Sequence, residues 1–239
     1  MPAYNAESTL VKTYNDIPLD LIDEIILVDD CSRDKTVEIS KKLGLTTIIH
    51  EKNKGYGGNQ KTCYQTALKA GADIIIMIHP DYQYDPKKIQ EILKVFENDE
   101  ADVAYGSRML IKGDAKKGGM PLYKRMGNFL LTVYINFMTG INLTDAATGY
   151  IAYKREVLET IPFMKNSNGF TFDEEAIIQC SYFNFRMKEF PVPTRYERES
   201  SSISFKKSAK YGISLFINIA KSKLHKYGLI NFYLLNKNP

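Results

Sequence analysis

The chain has 239 residues, of which 44% are hydrophobic and 25% are charged. This is the composition of a globular protein that is long enough to bury a core, and one large α/β domain fits the length better than two small ones. The three cysteines, at positions 31, 63 and 180, have neither the pairing of a disulfide framework nor the spacing of a zinc site, which favours structural roles in a reducing compartment.

Short apolar runs alternate with helical patterns along the first half of the chain. The pattern predicts strands at residues 24–30, 46–50, 73–79 and 102–105, and helices at residues 34–43, 59–70, 86–98 and 123–141. Strands that are apolar on both faces and alternate with helices are typical of an α/β fold with a mostly parallel, doubly wound sheet. We expect the strand over residues 73–79 to be fully buried.

Polar residues follow three of the predicted strands: Asp29 and Asp30, His79 and Asp81, and the Gly-Ser-Arg sequence that ends at Arg108. In open parallel sheets, ligands bind beyond the carboxyl ends of the strands. The pattern therefore indicates a binding site at this edge, although strand ends are commonly polar in any case.

The loop after the third predicted strand carries candidate metal ligands. Asp81 and Gln83 offer a carboxylate and an amide oxygen, which are hard ligands that suit Mg²⁺ or Mn²⁺. A divalent ion here would neutralise a leaving diphosphate. The residues alone leave a second role open, since an acid in this loop could also cap the helix that starts near Pro86.

Five short sequences follow one another at characteristic spacing, at residues 2–5, 27–36, 79–83, 105–108 and 145–150. Together they resemble family 2 glycosyltransferases of the GT-A fold, and most closely the branch that transfers sugars to polyprenyl phosphates, which includes dolichol-phosphate mannose synthase. The resemblance covers nearly the whole chain. It implies a Rossmann-like GT-A fold, an inverting transfer from a UDP- or GDP-sugar, a Mg²⁺ or Mn²⁺ cofactor and a polyprenyl-phosphate acceptor.

The resemblance also implies roles for matching residues. Catalytic roles fall to Asp81 as the metal-binding acid, Arg108 facing phosphate and Glu175 near the sugar, while residues 145–150 shape the acceptor side. The implied metal ligands are His79, Asp81 and Gln83. The implied donor-binding residues are Pro2, Tyr4, Asn5 and Asp30 around the nucleotide, Gly55 in the adjoining turn, and Arg195, Ser201 and Ser202 over the phosphates.

The sequence departs from the family pattern in two places. His79 stands where the first acid of the Asp-x-Asp motif is expected, so it either ligates the metal as a neutral imidazole or only ends its strand. The family's first strand precedes the loop at residues 2–5, and here only Met1 does. We therefore expect a truncated first strand, from a mis-assigned start or a trimmed chain.

The glycine-rich sequence at residues 55–62 has the strand–loop–helix setting of a phosphate-binding P-loop. Gln60 stands where such a loop needs glycine, because a side chain there crowds the amides that cradle phosphate. We therefore interpret these glycines as a tight turn beside the donor site.

The acceptor side is open to three interpretations. The first is a lipid phosphate, which is already an anion and needs no strong general base. Lys124 and Arg125, at the start of the apolar segment 129–141, could bind this phosphate. They could also be solvated charges before a buried helix. A sugar hydroxyl would need a base, for which Asp173, Glu174 or Glu175 could serve. With His79 in place of an acid, a silent sugar-nucleotide-binding protein is the third interpretation.

The net charge of +4 is unevenly distributed, because residues 200–239 contain seven lysines and no acid. A basic amphipathic tail with Leu215, Phe216 and Ile219 near one face suits an anionic membrane, although packing onto the catalytic domain would give the same pattern. No nucleic-acid-binding module is recognisable, and we expect no nucleic-acid partner.

These observations lead to a predicted organisation. Residues 1–190 form the catalytic domain, and residues 191–239 form a C-terminal loop and tail. No signal peptide is visible, and the longest mostly apolar stretch, residues 129–138, is about half of the ~20 residues that a membrane span needs. We therefore predict a peripheral protein at the cytoplasmic membrane face, with a membrane-protein partner or a homodimer as further interpretations.

Overall fold

The computed structural model describes residues 1–196 and 205–236. Strands and helices alternate along the chain, as the sequence pattern predicts. The strands are β1 (Pro2–Ala3), β2 (Ile26–Asp29), β3 (Thr46–Ile49), β4 (Ile74–Met77), β5 (Val103–Ser107), β6 (Ile151–Lys154) and β7 (Met187–Pro191). The helices are α1 (Leu10–Asn15), α2 (Thr36–Lys42), α3 (Tyr56–Lys69), α4 (Ile89–Glu97), α5 (Asp114–Lys117), α6 (Leu122–Thr139), α7 (Arg155–Thr160), α8 (Phe172–Tyr182) and α9 (Phe205–Lys226).

The strands form two sheets. The first has the order β1-β2-β3 and is parallel throughout, and the second has the order β4-β6-β5-β7. In the second sheet β5 and β7 are parallel, while β6 runs antiparallel to both β4 and β5. The mostly parallel α/β class is confirmed, with β6 as an antiparallel insertion that the sequence pattern did not predict.

A groove separates the two sheets. It encloses about 590 Å³ between the Ile26 end of β2 and the edge of β4, and apolar side chains dominate its lining. Ile74 and Ile76 of β4 face partly open space and are only half-buried, so the expectation of a fully buried strand was wrong for these two residues. Strand β1 has two residues, and the Met1 ammonium group beside it donates to the Ile26 carbonyl oxygen at 2.7 Å.

Two helices on the sheets illustrate how the sequence determines their ends. Asp85 accepts a hydrogen bond from the Lys87 backbone N–H at 3.2 Å, and Pro86 opens a short 3₁₀ turn that leads into α4. The α4 face with Ile92 and Phe96 is buried. Helix α3 begins three residues before the predicted start, because Gly55 turns the chain with a φ of 82°.

The C-terminal helix α9 packs onto α6 and α8. Leu215 and Ile219 are buried in the main core, whereas Phe216 is 41% exposed. Thus the tail helix contacts the catalytic domain along one face, and the proposed boundary at residue 190 stays a prediction. Within residues 1–196 and 205–236, no helix combines the length and apolar character needed to cross a membrane.

Candidate active site

The loops after β1 and β2 are tied together by hydrogen bonds at the carboxyl edge of the first sheet. Asn5 adopts a left-handed conformation with a φ of 52°, accepts from the Arg33 backbone N–H at 2.9 Å and donates its own N–H to the Ser32 hydroxyl at 2.8 Å. Tyr4 beside it is 54% exposed. The predicted nucleotide loop is therefore a fixed turn that presents an accessible tyrosine ring, while Pro2 lies buried in β1.

Asp30 is a buried organiser of the same edge. Its carboxylate accepts from the backbone N–H groups of Lys54 and Gly55 at 2.8 and 2.9 Å, and it pairs with His50 Nδ1 at 2.7 Å. The predicted contact of Asp30 with base and ribose stays a prediction. What the structure adds is that Asp30 positions the turn at Gly55, which was also assigned to the donor site.

The glycines at the start of α3 allow a close approach of two backbone segments. The N–H groups of Gly57 and Gly58 donate to the Asn168 carbonyl oxygen. A Cβ atom on Gly57 would lie 2.3 Å from the Ser167 carbonyl oxygen, which leaves no room for a side chain. These amide groups donate to the loop before α8, which agrees with the interpretation of the glycine-rich sequence at residues 55–62 as a tight turn.

The candidate metal loop follows β4 and contacts the segment around Arg195. Asp81 Oδ1 accepts from the Gln83 backbone N–H at 3.0 Å, and the Gln83 carbonyl oxygen accepts from the Arg195 backbone N–H at 2.9 Å. The Arg195 guanidinium lies over the Tyr82 ring at 4.4 Å, and its buried Nη1 has no hydrogen-bond partner in the described part of the chain. A cationic group thus lies beside the predicted metal ligands.

The donors in this loop fit a divalent cation that shares its coordination with phosphate. Within the described ranges, no group of three or more His, Cys, Asp or Glu side chains could hold a metal ion. His79 and Asp81 supply two such donors, and Gln83 adds an amide oxygen. Mg²⁺ and Mn²⁺ complete their shells with water and substrate phosphates, so the set suits a cation that binds together with a diphosphate.

His79 is held by Tyr56, a residue that the sequence analysis did not single out. The two rings stack with centroids 5.3 Å apart, and Tyr56 Oη lies 3.3 Å from His79 Nε2. Tyr56 also donates to Asp173 Oδ2 at 2.6 Å. Burial lowers the pKa of His79 although the charge of Asp81 opposes the shift, so the ring is neutral at pH 7.

Two acids at the start of α8 have raised pKa values. Burial raises the pKa of Asp173 to about 6, against the hydrogen bonds from Tyr56 and Gln60. Burial, reinforced by the charge of Asp173, raises the pKa of Glu174 to about 8. Each of the two carboxyl groups has one buried oxygen that accepts no hydrogen bond from the residues that the structure describes.

Glu175 lies on a different face of α8. Its carboxylate accepts from the Ser167 backbone N–H at 2.6 Å, from the Asn218 side chain of α9 at 3.0 Å and from the Thr171 hydroxyl at 3.3 Å. The structure therefore brings Asp173, and not Glu175, together with His79. The catalytic role assigned to Glu175 stays a prediction, and its contacts secure the loop before α8.

Arg108 forms a buried ion pair with Asp145. The guanidinium Nε lies 2.6 Å from Asp145 Oδ2, and Nη2 lies 2.7 Å from Oδ1. Burial alone would raise the pKa of Asp145, but the Arg108 charge outweighs burial and holds that pKa below its usual value. Arg108 also donates to the Tyr196 hydroxyl and the Ala147 carbonyl oxygen, so among the described residues four of its five N–H donors have partners, and its contact with phosphate stays a prediction.

The candidate acceptor residues lie next to this pair. Lys124 Nζ lies 5.4 Å from the centroid of the Tyr196 ring, and burial together with the Arg108 charge lowers the pKa of Lys124. Arg125 Nε is buried and has no hydrogen-bond partner within residues 1–196 and 205–236. Lys124 lies within reach of the Arg108 charge, and the role assigned to Lys124 and Arg125 in binding the acceptor phosphate stays a prediction. Ser201 and Ser202, the other residues assigned to the donor phosphates, lie outside the described residues.

Comparison with known proteins identifies the family of this chain. The sequence model described as "Glycosyl transferase family 2" matches residues 1–162, which is more than half of the chain. The chain belongs to glycosyl transferase family 2. It is therefore a glycosyltransferase, and the family 2 motifs identified in the sequence correspond to loops that meet at the carboxyl edge of the sheets.

Several related proteins share most of their length with this family 2 member. An uncharacterized protein of Methanocaldococcus jannaschii is 35% identical over 84% of the chain and 82% of its own length. The UDP-N-acetylglucosamine–dolichyl-phosphate N-acetylglucosaminyltransferase of Methanococcus voltae is 28% identical over 95% of both chains. The undecaprenyl-phosphate mannosyltransferase of Micrococcus luteus is 27% identical over 80% of the chain and 84% of its own length.

Solved structures confirm the fold of this family 2 enzyme. Glucosyl-3-phosphoglycerate synthase from Mycobacterium tuberculosis, in complex with phosphoglyceric acid, superposes with a TM-score of 0.65 at 17% identity, over 99% of this chain and 84% of that one. The same synthase crystallised with Mn²⁺, UDP-glucose and phosphoglyceric acid gives a TM-score of 0.64 at 14% identity, over 99% and 83% of the two chains. At this identity the likeness shows the GT-A fold alone.

Proposed function

We propose that the enzyme transfers a sugar from a nucleoside-diphosphate sugar to a membrane polyprenyl phosphate, with inversion at the anomeric carbon. One observation carries the proposal: Lys124 and Arg125 lie at the start of a helix whose outward face is apolar, and Lys124 lies within reach of the Arg108 charge. A polyprenyl phosphate joins the same two features in one molecule, an anionic head and a long apolar chain. Two of the related proteins are named for dolichyl or undecaprenyl phosphate, which supports the acceptor class.

Helix α6 is apolar on its outward face as well as where it meets the core. Its inward face packs on the main core through buried Ile135 and also carries Asn128 and Thr132, which bond to Asp145 and to the Ala146 backbone N–H. Its outward face repeats every three or four residues, the period of one helical stripe. That stripe consists of exposed Leu122, Met126, Phe129, Leu130, Val133 and Phe137.

The outward stripe suits the interfacial region of a membrane. An amphipathic helix with large apolar side chains on one face and nearby lysines lies in the plane of an anionic bilayer. Exposed Ile213 and Ile217 of α9 extend the apolar surface, and Lys223 Nζ lies 4.9 Å from the Phe137 ring centroid. We therefore place the enzyme peripherally at the cytoplasmic membrane face, with a membrane-protein partner or a second copy as the alternative occupants of this surface.

The chemistry follows from charge. The acceptor phosphate oxygen is already anionic and attacks the anomeric carbon, so the site must position it and neutralise the departing nucleoside diphosphate. Arg195 offers an unused donor toward the diphosphate, and Lys124 and Arg125 hold the acceptor. A divalent cation held by His79, Asp81 and Gln83 would supply further charge neutralisation when bound.

A second candidate acceptor, a sugar hydroxyl, is favoured by one observation. Burial raises the pKa of Asp173 to about 6, so its carboxylate is a stronger base than an ordinary aspartate and could take the proton of a hydroxyl. Tyr56 already occupies one of its oxygens, which leaves Oδ1 for this role.

Release of nucleoside diphosphate tests the proposal. The enzyme is incubated with a panel of UDP- and GDP-sugars and Mg²⁺ or Mn²⁺, with and without undecaprenyl or dolichyl phosphate. We expect release that depends on both metal and lipid phosphate, and a glycolipid product of inverted anomeric configuration. Release that needs a sugar acceptor instead would favour the hydroxyl reaction, and binding of a nucleotide-sugar without release on any acceptor would favour a silent binding protein.

A further inference from the structure

His79 is confined by its neighbours to one orientation. Its ring stacks on Tyr56 with an interplanar angle of 9°, and Nε2 faces the Tyr56 oxygen at 3.3 Å. Gly149 lies against the same edge, because a Cβ atom there would lie 2.9 Å from Nε2 and 3.0 Å from Tyr56 Oη. The hydrogen bonds of Tyr56 therefore bear on whether Nε2 carries the hydrogen.

The single hydroxyl hydrogen of Tyr56 points at Asp173. The O–O distance of 2.6 Å to Asp173 Oδ2 is that of a strong hydrogen bond to a carboxylate. Gln60 Nε2 donates to the same oxygen at 3.3 Å. An oxygen that receives two donors is not itself the proton carrier, so Tyr56 is the donor in this pair whichever charge Asp173 has.

Tyr56 consequently offers His79 only a lone pair. The contact at 3.3 Å is then a hydrogen bond from Nε2–H to Tyr56 Oη, at the long end of the usual range. A neutral imidazole with its hydrogen on Nε2 has its remaining lone pair on Nδ1. His79 is thereby prepared to act as an acceptor or ligand through Nδ1.

We propose that His79 binds the divalent cation through Nδ1 together with Asp81, and that Tyr56 and Asp173 are positioning residues that fix its tautomer. Metal-binding histidines commonly donate their other N–H to an oxygen that fixes the ring and its tautomer. Here that oxygen belongs to a tyrosine, which is itself held by a carboxylate. The inference rests on the proposed function, because the cation is the one that neutralises the leaving diphosphate.

The mixed nitrogen and oxygen ligands have a consequence for metal choice. Mg²⁺ strongly prefers oxygen ligands, whereas Mn²⁺ accepts imidazole more readily. The ratio of Mn²⁺ to Mg²⁺ affinity should therefore be higher than for an all-oxygen site. The variant His79→Asp, which restores a carboxylate, should lower this ratio.

The tautomer can be observed directly, because the chain contains only three histidines. Long-range ¹H–¹⁵N correlation spectra of the full-length protein distinguish a hydrogen on Nε2 from one on Nδ1. We expect the Nε2–H form for His79, and preferential broadening of its signals over those of His225 when MnCl₂ is added with UDP or GDP. A hydrogen on Nδ1, or equal broadening of both residues, would overturn the proposal.

Tyr56→Phe tests the positioning role while keeping the stacked ring. We expect this variant to lose about tenfold in Mn²⁺ affinity, measured from the signal of free Mn²⁺ by electron paramagnetic resonance with UDP or GDP present. Tyr182→Phe is a matched control, since its hydroxyl also lies 3.3 Å from a histidine nitrogen, that of His225. Equal Mn²⁺ affinity of Tyr56→Phe and the parent protein would contradict the positioning role.

These results separate the inference from the proposed function. If transfer depends on lipid phosphate but the His79 signals do not respond to Mn²⁺, the inference about His79 is wrong and the proposed function is kept. If the His79 signals respond to Mn²⁺ and this response is weaker in Tyr56→Phe, but turnover does not depend on lipid phosphate, the inference is kept and the proposed acceptor is wrong.

Discussion

Arg108 and Asp145 form a two-point ion pair in the interior, with Nε–Oδ2 and Nη2–Oδ1 distances of 2.6 and 2.7 Å. Asp145 also accepts from Asn128 of α6 at 2.8 Å, so the pair links β5, the segment before β6 and the inward face of α6. The pair therefore determines where α6 begins relative to Arg108. It connects the predicted phosphate site to the outward apolar stripe.

Removing the negative partner should destabilise the fold. Asp145→Asn leaves the buried Arg108 charge without its carboxylate, and the free energy of unfolding should fall by about 3–5 kcal/mol. Urea denaturation followed by circular dichroism measures this change. Lys188→Ala is the control, since it breaks an exposed pair with Glu100 and should cost far less. Equal losses in the two variants would contradict a structural role for the buried pair.

The metal loop contains two aspartates with different predicted roles. Asp81→Ala should reduce turnover by roughly 100-fold or more, because charge neutralisation of the leaving diphosphate is lost. Asp85→Ala removes a helix cap in the same loop and should cost about 1 kcal/mol of stability while turnover persists. Steady-state release of nucleoside diphosphate at saturating Mn²⁺ compares them. Full activity of Asp81→Ala would reject the site assignment.

The order of the strands and helices was largely predictable, because the periodic spacing of apolar residues and the polar residues at strand ends are local properties of the sequence. Strands β6 and β7 were both missed, and the antiparallel direction of β6 depends on how residues 109–150 return to the sheet. Within the site, Asp81 was recognisable from its motif. Tyr56 was not, because its role depends on contact with Asp173, 117 positions away in sequence.

The motifs predicted which residues lie at the site, but they did not predict which of these residues contact each other. Arg108 and Asp145 were each assigned to the site from separate motifs, yet nothing local indicated that they pair with each other. The exposed face of α6 was visible as an apolar segment, but the sequence left open whether it was core. The structure shows that the helix has both kinds of surface: Asn128, Thr132 and Ile135 are buried, whereas the apolar stripe that contains Phe129 and Phe137 is exposed.

The outward stripe of α6 should drive membrane association. The double variant Phe129→Ser, Leu130→Ser should reduce binding to vesicles containing phosphatidylglycerol by about tenfold or more, because two large apolar side chains no longer enter the interface. Co-sedimentation measures the bound fraction. Leu19→Ser, Ile49→Ser changes two apolar side chains that are about half exposed elsewhere and serves as the control.

The salt dependence of vesicle binding and the oligomeric state of the protein distinguish a membrane from a second copy of the chain as the partner of the α6 stripe. Vesicle binding should weaken as salt rises, because lysines near the stripe contribute attraction to the anionic surface. Unchanged vesicle binding in the α6 double variant, together with loss of a dimer by sedimentation analysis, would instead identify a second copy of the chain as the occupant.

The raised pKa of Glu174 should make stability depend on pH. Burial raises this pKa from 4.5 to about 8, so between these values the folded state holds a proton that the unfolded state has released. Stability contributed by the neutral group is complete below about pH 4.5 and is lost as the pH rises through about 8. Glu174→Gln cannot ionise, so at roughly pH 9 this variant should be more stable than the parent protein by on the order of 2 kcal/mol, and nearly equal at roughly pH 4. Chemical denaturation across this pH range measures the difference, and the variant Glu97→Gln, which changes an exposed acid, is the control. If the free energies of unfolding of the parent protein and Glu174→Gln change in parallel with pH, Glu174 ionises as an ordinary surface acid.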